Sequence, residues 1–516
     1  MKVFACAAMS VAVMLAGCAT PQSSDTQAAP LVPDSGVTLG GIGALIAMGL
    51  DPERAEVSGD VYTFPAFTLP EFEESGELDG RLVIANPRFG EGGAVAMDYI
   101  AIEGFRVFDD ATGGASFDRF IVDQPNAALA AYVADIFSGA AEEDGYEMAW
   151  RDFTAAEIGV EGLQLAFTDE IDGETLTGQI ERIAVTDHNL ERIGRVEIVG
   201  LVLSSYDPVM PLTMRLEEFS FDDVDVAAMM PVFNAIEDGA DEIDVALAIN
   251  EATTRRIDIV GAMTVRDLDI SIPDLSLGLA SARVETERDG ELVRHEAAIE
   301  GLTLTPNADT AGGQEMLSPL AMFGYDRIEI RMGGVQYQDE ATDRVYTDGP
   351  YAFEIVDAVR LDVEMDFTGF MAMTRKEAEL TASGALGSAD PLVAAAADAQ
   401  ILSELTVSSA AVTVTDLSLL DRSLAALAAE QGVTPDELRA QAGMFMAMGM
   451  MAAPPEIPRP LLTDASAALT QFITMGGAVT IAMSPDQPYP LSRIFEEAGP
   501  EGIDVEALGL SVTANE

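Results

Sequence analysis

Nine successive residues, Val359-Arg360-Leu361-Asp362-Val363-Glu364-Met365-Asp366-Phe367, alternate between apolar and charged without a fault. Period two puts neighbouring side chains on opposite sides of an extended chain, so this segment predicts a strand with one greasy and one charged face. Shorter stretches of the same pattern run from Leu268 to Ile272, Leu275 to Leu279, Ile328 to Met332, Val412 to Val414 and Val479 to Ile481. Such strands suit antiparallel sheets, which are able to leave one side in water. The predicted fold is mainly β with inserted helices, α+β overall, built on an elongated, mostly antiparallel twisted sheet that is groove-like or curled. Its apolar face must be covered by the chain's own helices or offered to something else.

Two kernels interrupt the alternation. Apolar-x-Asp-apolar-x-apolar occurs at Phe221 to Val226, Val265 to Ile270, Ile272 to Leu277 and Val414 to Leu419, with a looser copy at Trp150 to Ala155. In each, the apolar phase slips by one residue at the aspartate, which predicts a bulge or a tight bend. An apolar-Gly-apolar kernel recurs at Ile102-Glu103-Gly104-Phe105, Val160-Glu161-Gly162-Leu163 and Ile299-Glu300-Gly301-Leu302. Its uneven spacing excludes a propeller or a hexapeptide solenoid and leaves a long sheet of irregular hairpins.

Helical spacing appears between the strands. Leu129, Tyr132, Val133 and Ile136 mark a helix over Ala127 to Phe137, and Ala227 to Ile236 reads as a Met-rich turn or helix. The glycine-rich stretch Val37 to Leu50 is too short to span a bilayer and predicts a buried or interfacial helix against the first strands. Thr434-Pro435-Asp436-Glu437 combines an N-cap, a proline in the first turn and a glutamate placed to close a capping box. That helix runs on through the Met-rich residues 444–451 until Pro454 and Pro455 stop it.

Charge narrows the function. The chain carries 88 acidic against 27 basic residues, a formal net charge of -61. Such a field repels phosphate polyanions, so nucleic-acid partners are excluded. No glycine-rich phosphate loop with its lysine, serine-hydrolase elbow or dinucleotide fingerprint is present. His188, in the expected turn Thr186-Asp187-His188-Asn189, and His295, alternating with Val293 on a strand, lack partners at metal-ligand spacing. No cofactor is called for, calcium excepted: Asp222, Asp223 and Asp225 gather the oxygens that hard cations prefer, though without an EF-hand order. Carboxylate pairs for glycosidase-type hydrolysis are available everywhere, and no pair stands out. Methionine is in surplus, 24 in all, and Met229, Met230, Met444, Met446, Met448 and Met450 are candidate contacts for an apolar ligand.

The first residues give an address. Lys2, an apolar run from Val3 to Met14 and then Leu15-Ala16-Gly17-Cys18 resemble the signal and lipobox of bacterial lipoproteins. The resemblance implies a signal peptide over 1–17, cleavage before Cys18 and fatty acylation of its thiol, with more than one chain needed for stable anchoring. Ala19 in the following position, where an aspartate would retain the protein inside, implies the Gram-negative outer membrane, facing the periplasm. Residues 18–35 read as a flexible tether and 36–516 as the β-rich body, either one continuous sheet or two lobes, 36–238 and 239–516. With Cys6 in the leader, Cys18 is the only cysteine left, so the body has no disulfide.

Over the body, Ala55-Glu56-Val57-Ser58-Gly59-Asp60, Leu417-Ser418-Leu419-Leu420-Asp421-Arg422, Gly432 to Arg439 and Gly509 to Asn515 resemble uncharacterised alphaproteobacterial envelope proteins. Those are similar to the AsmA-like group of repeating β-groove proteins, which implies phospholipid handling in the periplasm. A lipobox in place of that group's usual transmembrane helix departs from the pattern. The expected function is a non-catalytic envelope lipoprotein that binds lipid or another apolar ligand or organises the envelope, its partners being the membrane, a lipid or an envelope protein. The alternatives are a calcium-dependent structural or adhesive scaffold and a carboxylate-based hydrolase.

Overall fold

The computed structural model describes residues 41–67, 80–90, 93–109, 113–140, 152–168, 175–207, 211–228, 259–386, 391–452, 459–493 and 506–515. It is mainly β with inserted helices, and its long strand ladders are antiparallel, as the alternation requires. Two compact units divide it: residues up to 211 with 218–227, and 212–217 with 228 onward.

The first unit opens with helix α1 (Gly41–Ala47) and short strands β1 (Glu56–Ser58), β2 (Val61–Phe64), β3 (Arg81–Ala85), β4 (Arg88–Phe89) and β5 (Val95–Ala96). Longer strands follow: β6 (Tyr99–Asp109), β7 (Gly113–Asp123), β8 (Ala155–Thr168), β9 (Thr175–His188), β10 (Arg192–Ser205) and β11 (Leu212–Asp225), of which residues 212–217 count with the second unit. Helix α2 (Ala127–Ser138) separates β7 from β8. Pairing runs β1–β2–β3–β6–β7–β8–β9–β10, and β4 pairs with β5 apart from the main ladder.

Both helices cover the apolar face at its early strands. Leu45 from α1 and Met48 just after it, with Leu129, Val133 and Phe137 from α2, bury themselves against Phe64, Leu82, Ile84, Ile100, Ile102 and Val122. The start of α2 is fixed by Asn126, whose Oδ1 accepts from the Leu129 amide at 3.0 Å. The buried or interfacial helix expected over 37–50 is present at residues 41–47, and the helix expected over 127–137 at Ala127–Ser138.

From β2 to β10 the register lines apolar residues into rows across the sheet. One row is Phe64, Leu82, Ile102, Phe120, Val160, Ile183 and Ile198; another is Phe105, Phe117, Leu163, Ile180 and Leu201. Between these rows the apolar phase changes parity on every strand from β6 to β10. The residues at the change are Gly104, Asp118, Gly162, Glu181 and Gly200, each aligned with the next by register. The three glycines take left-handed φ of 69°, 65° and 66°, which slips the alternation by one residue and keeps the apolar set on one face. The acids of the intervening strands lie over two of them: a Cβ on Gly162 would stand 2.2 Å from Asp118 Oδ2, and one on Gly200 2.3 Å from Glu181 Cγ.

The second unit contains β12 (Val260–Ile272), β13 (Leu275–Asp289), β14 (Leu292–Pro306), α3 (Ala311–Met322), β15 (Ile328–Asp339), β16 (Arg344–Thr347), β17 (Tyr351–Ile355) and β18 (Val359–Thr368). Then come α4 (Phe370–Ala382), α5 (Pro391–Leu402), β19 (Thr406–Asp416), α6 (Leu419–Gln431), α7 (Pro435–Ala452), α8 (Arg459–Met475), β20 (Gly477–Met483), β21 (Tyr489–Pro490) and β22 (Leu510–Ala514). The ladder is β12–β13–β14–β15, then β16 and β17 end to end between β15 and β18, then β19, β20 and β22, with β21 on β19.

A second aligned slip crosses this unit at Asp267 (φ 47°), Ala280 and Gly301 (φ 64°). Where it meets β15 the pairing shifts by one residue, between Ile299–Met332 and Leu302–Ile330. Of the predicted aspartate slips, Asp223 and Asp267 are left-handed inside strands. The other two differ. Asp274 sits in the tight β12–β13 turn, and Asp416 ends β19, where its carboxylate accepts from the Leu420 amide at 2.8 Å and caps α6.

Caps set the remaining helices. The Thr434–Glu437 box closes as predicted: the Thr434 amide donates to Glu437 Oε2 at 2.7 Å and the Glu437 amide to Thr434 Oγ1 at 3.3 Å. The Thr434 amide and hydroxyl, both donating to the Glu437 carboxylate, hold it below its ordinary pKa. Helix α4 begins after Gly369, which has no capping side chain, and borrows Asp343 instead, with the Met371 amide donating to its Oδ1 at 2.6 Å. Arg422 fastens α6 to the end of α3, donating to Gly324 O at 2.8 Å and stacking 4.3 Å from the Tyr325 ring.

Candidate apolar-ligand surface

Four rows of apolar side chains cross β12–β15. They are Ile270–Leu277–Leu304–Ile328, Leu268–Leu279–Leu302–Ile330, Val265–Ala282–Ile299–Met332 and Met263–Val284–Ala297–Gly334. None of these residues is buried; each keeps partial exposure. The contrast with the first unit is direct, because Leu82 and Ile84, on the same kind of row, are fully buried beneath α1 and α2. Helices of the second unit pack chiefly on β20 and β22, through α8, with α3 touching β14.

The face ends in a polar rung. The next row after Val284, Ala297 and Gly334 is Thr286, His295, Gln336 and Thr347, opposite one another by register. Thr286 Oγ1 and His295 Nδ1 stand 3.2 Å apart, and Thr347 Oγ1 accepts from the Met365 amide at 3.1 Å. One row further, Val293, Gln338 and Val345 are buried, and Gln338 Nε2 donates to Met371 Sδ of α4 at 2.9 Å. The rung is what reading the sequence missed. Its signal is the tight β13–β14 turn, which fixes Thr286 opposite His295 and so turns a lone histidine into one of a row.

Arginines in this region are engaged. Arg288 binds Glu340 through two nitrogens at 2.8 and 2.9 Å, and Arg344 binds Asp366 likewise, both at 2.8 Å. Arg283 pairs with Glu285, Arg294 with Glu296 and Glu287, Arg327 and Arg331 with Glu329, and Arg360 with Asp362.

The sequence-predicted residues are scattered. Met444 and Met448 lie one turn apart on α7, 56% and 49% exposed. Met446 and Met450 belong to the same helix, their side chains outside the described set; Cys18, Met229, Met230 and Trp150 lie outside the described residues altogether. Asp222 pairs with Arg195 at 2.9 Å, Asp223 with Arg192, and Asp225 is buried. Among the described residues no group of three His, Cys, Asp or Glu side chains converges on one point. A shallow depression formed by Gln164, Thr177, Gln179 and Ser204, on phases opposite to the apolar rows, brings no carboxylates together.

His188 is not in a turn. It closes β9, paired with Ala155 and Ile193, while Asn189 makes the turn by accepting from the amides of Glu191 and Arg192 at 2.9 and 2.8 Å. Burial lowers its pKa below the ordinary 6.5. As pH falls below 6.5 the unfolded chain takes up a proton that the folded imidazole refuses, so stability drops until the lowered folded value is passed. His188→Asn is expected to remove that component. Urea unfolding between neutral and mildly acid pH should show a shallower loss in the variant than in the parent, and parallel curves would remove the assignment.

A family model described as an uncharacterized protein matches residues 352–515, from within β17 to the residue after β22. No curated protein matches the chain. The matched stretch holds helices α4–α8 and their strands, a likeness that leaves the apolar rows of β12–β15 outside it.

Proposed function

We propose that this protein is a non-catalytic envelope lipoprotein, anchored through an acylated Cys18 to the periplasmic side of the outer membrane, and that it holds apolar chains against its sheet. The observation that carries the reading is the partial exposure of every apolar row residue on β12–β15. Burial of such side chains is worth about 25 cal/mol per Å² of apolar surface, so an open greasy face this long favours an occupant. An acyl chain matches it, being flexible, apolar and indifferent to hydrogen bonding. The net charge of -61 keeps the body in solution around that face.

Purifying the full-length protein from its membranes and extracting it with organic solvent tests the proposal. Recovery of stoichiometric lipid, together with saturable binding of an uncharged naphthylamine probe by the extracted protein, is expected. Absence of both would end it.

A further inference from the structure

Building on that reading, we infer that the β12–β15 face selects an amphiphile with an uncharged, hydroxyl-bearing head, a monoacylglycerol-type lipid, over one with an anionic head. Thr286, His295 and Gln336 would meet the head.

The geometry supplies both ends of such a ligand. Four apolar rows are spaced along β13 from Leu277 to Val284, about 23 Å at the usual rise of an extended strand. A chain laid along them reaches the rung of Thr286, His295 and Gln336, partly exposed residues of one row in which the Thr286 hydroxyl, held against His295 Nδ1 at 3.2 Å, and the Gln336 amide are the polar groups facing a head. The buried Val293, Gln338 and Val345 then close the face, so the head stops at the rung.

Charge decides what head is accepted. Residues 259–368 carry 22 Asp and Glu against 8 Arg and no Lys. Seven of those arginines have carboxylate partners named above, and Arg266 is engaged as well. A phosphate or carboxylate head would approach the rung through this field with no cation to receive it. A head of hydroxyl groups has no charge to repel and finds donors and acceptors in the rung.

The test uses the extracted full-length protein and the uncharged naphthylamine probe, displaced by monooleoylglycerol or by oleoyl-lysophosphatidylglycerol, which share one acyl chain. Monooleoylglycerol is expected to displace the probe at about tenfold lower concentration, with the gap narrowing as salt is raised. Gln336→Leu should weaken monooleoylglycerol several-fold and leave the anionic lipid unchanged, and Glu340→Gln, which removes the carboxylate from Arg288, should narrow the gap. Equal or tighter binding of the lysophosphatidylglycerol would overturn the headgroup inference and spare the apolar-face reading. Failure of both lipids to displace the probe would overturn both.

Discussion

Gly162→Val is expected to cost the first unit roughly 3 kcal/mol or more, strain and steric overlap together. At φ 65° a β-branched residue is in a region it rarely occupies, and its Cβ would meet Asp118 Oδ2 at 2.2 Å and Asp118 Cβ at 2.9 Å. Gly104 provides the control. It has nearly the same φ, 69°, and nothing within 4 Å of its would-be Cβ, so Gly104→Val bears the backbone strain alone, about 1–3 kcal/mol. Urea unfolding followed by far-UV circular dichroism reads both. If the two variants lose the same stability, the acid lying over the glycine contributes nothing to the slip.

The second large effect separates the open face from the closed core. Leu302→Lys, in the middle of the row Leu268–Leu279–Leu302–Ile330, should abolish probe binding, a loss of at least about tenfold in affinity, while unfolding shifts by about 1 kcal/mol or less. A partly exposed lysine on a sheet can carry its ammonium to water. Leu82→Lys has no such exit, because Leu82 is 0% exposed under the helices, and it should unfold the first unit. Equal damage from both would mean that the β12–β15 face is covered in solution.

Much of this architecture is written in the chain as period two. Residues 359–367 alternate faultlessly and form β18 as expected. Elsewhere the strands are far longer than the pattern shows: Leu275 to Leu279 is only the first third of β13, and Leu268 to Ile272 the last part of β12. The reason is the slip itself. At Asp267, Ala280 and Gly301 the apolar residues change parity, so a reading by alternation ends the strand where the hydrogen-bonded ladder continues. The glycine kernels, and the aspartate kernels at Asp223 and Asp267, mark the same device on different strands.

Several helices gave no comparable signal. Pro391–Leu402 is alanine-rich on all sides, so no face stands out, and the start of α4 is fixed by Asp343 from far outside the helix. The capping box at Thr434 was legible because both of its residues are local. The polar rung was not legible for the opposite reason. Thr286, His295, Gln336 and Thr347 become neighbours only through two hairpins and their registers.

The alternation of glycine with acid at the line of slips, on Gly104, Asp118, Gly162, Glu181 and Gly200, has a period of two strands. A whole hairpin therefore carries one complete unit of the junction. Copying or deleting such a hairpin would preserve the matching of each loop to its neighbour and the sidedness of every strand. The first unit is accordingly a tiling that one added hairpin would lengthen without any new register having to be invented.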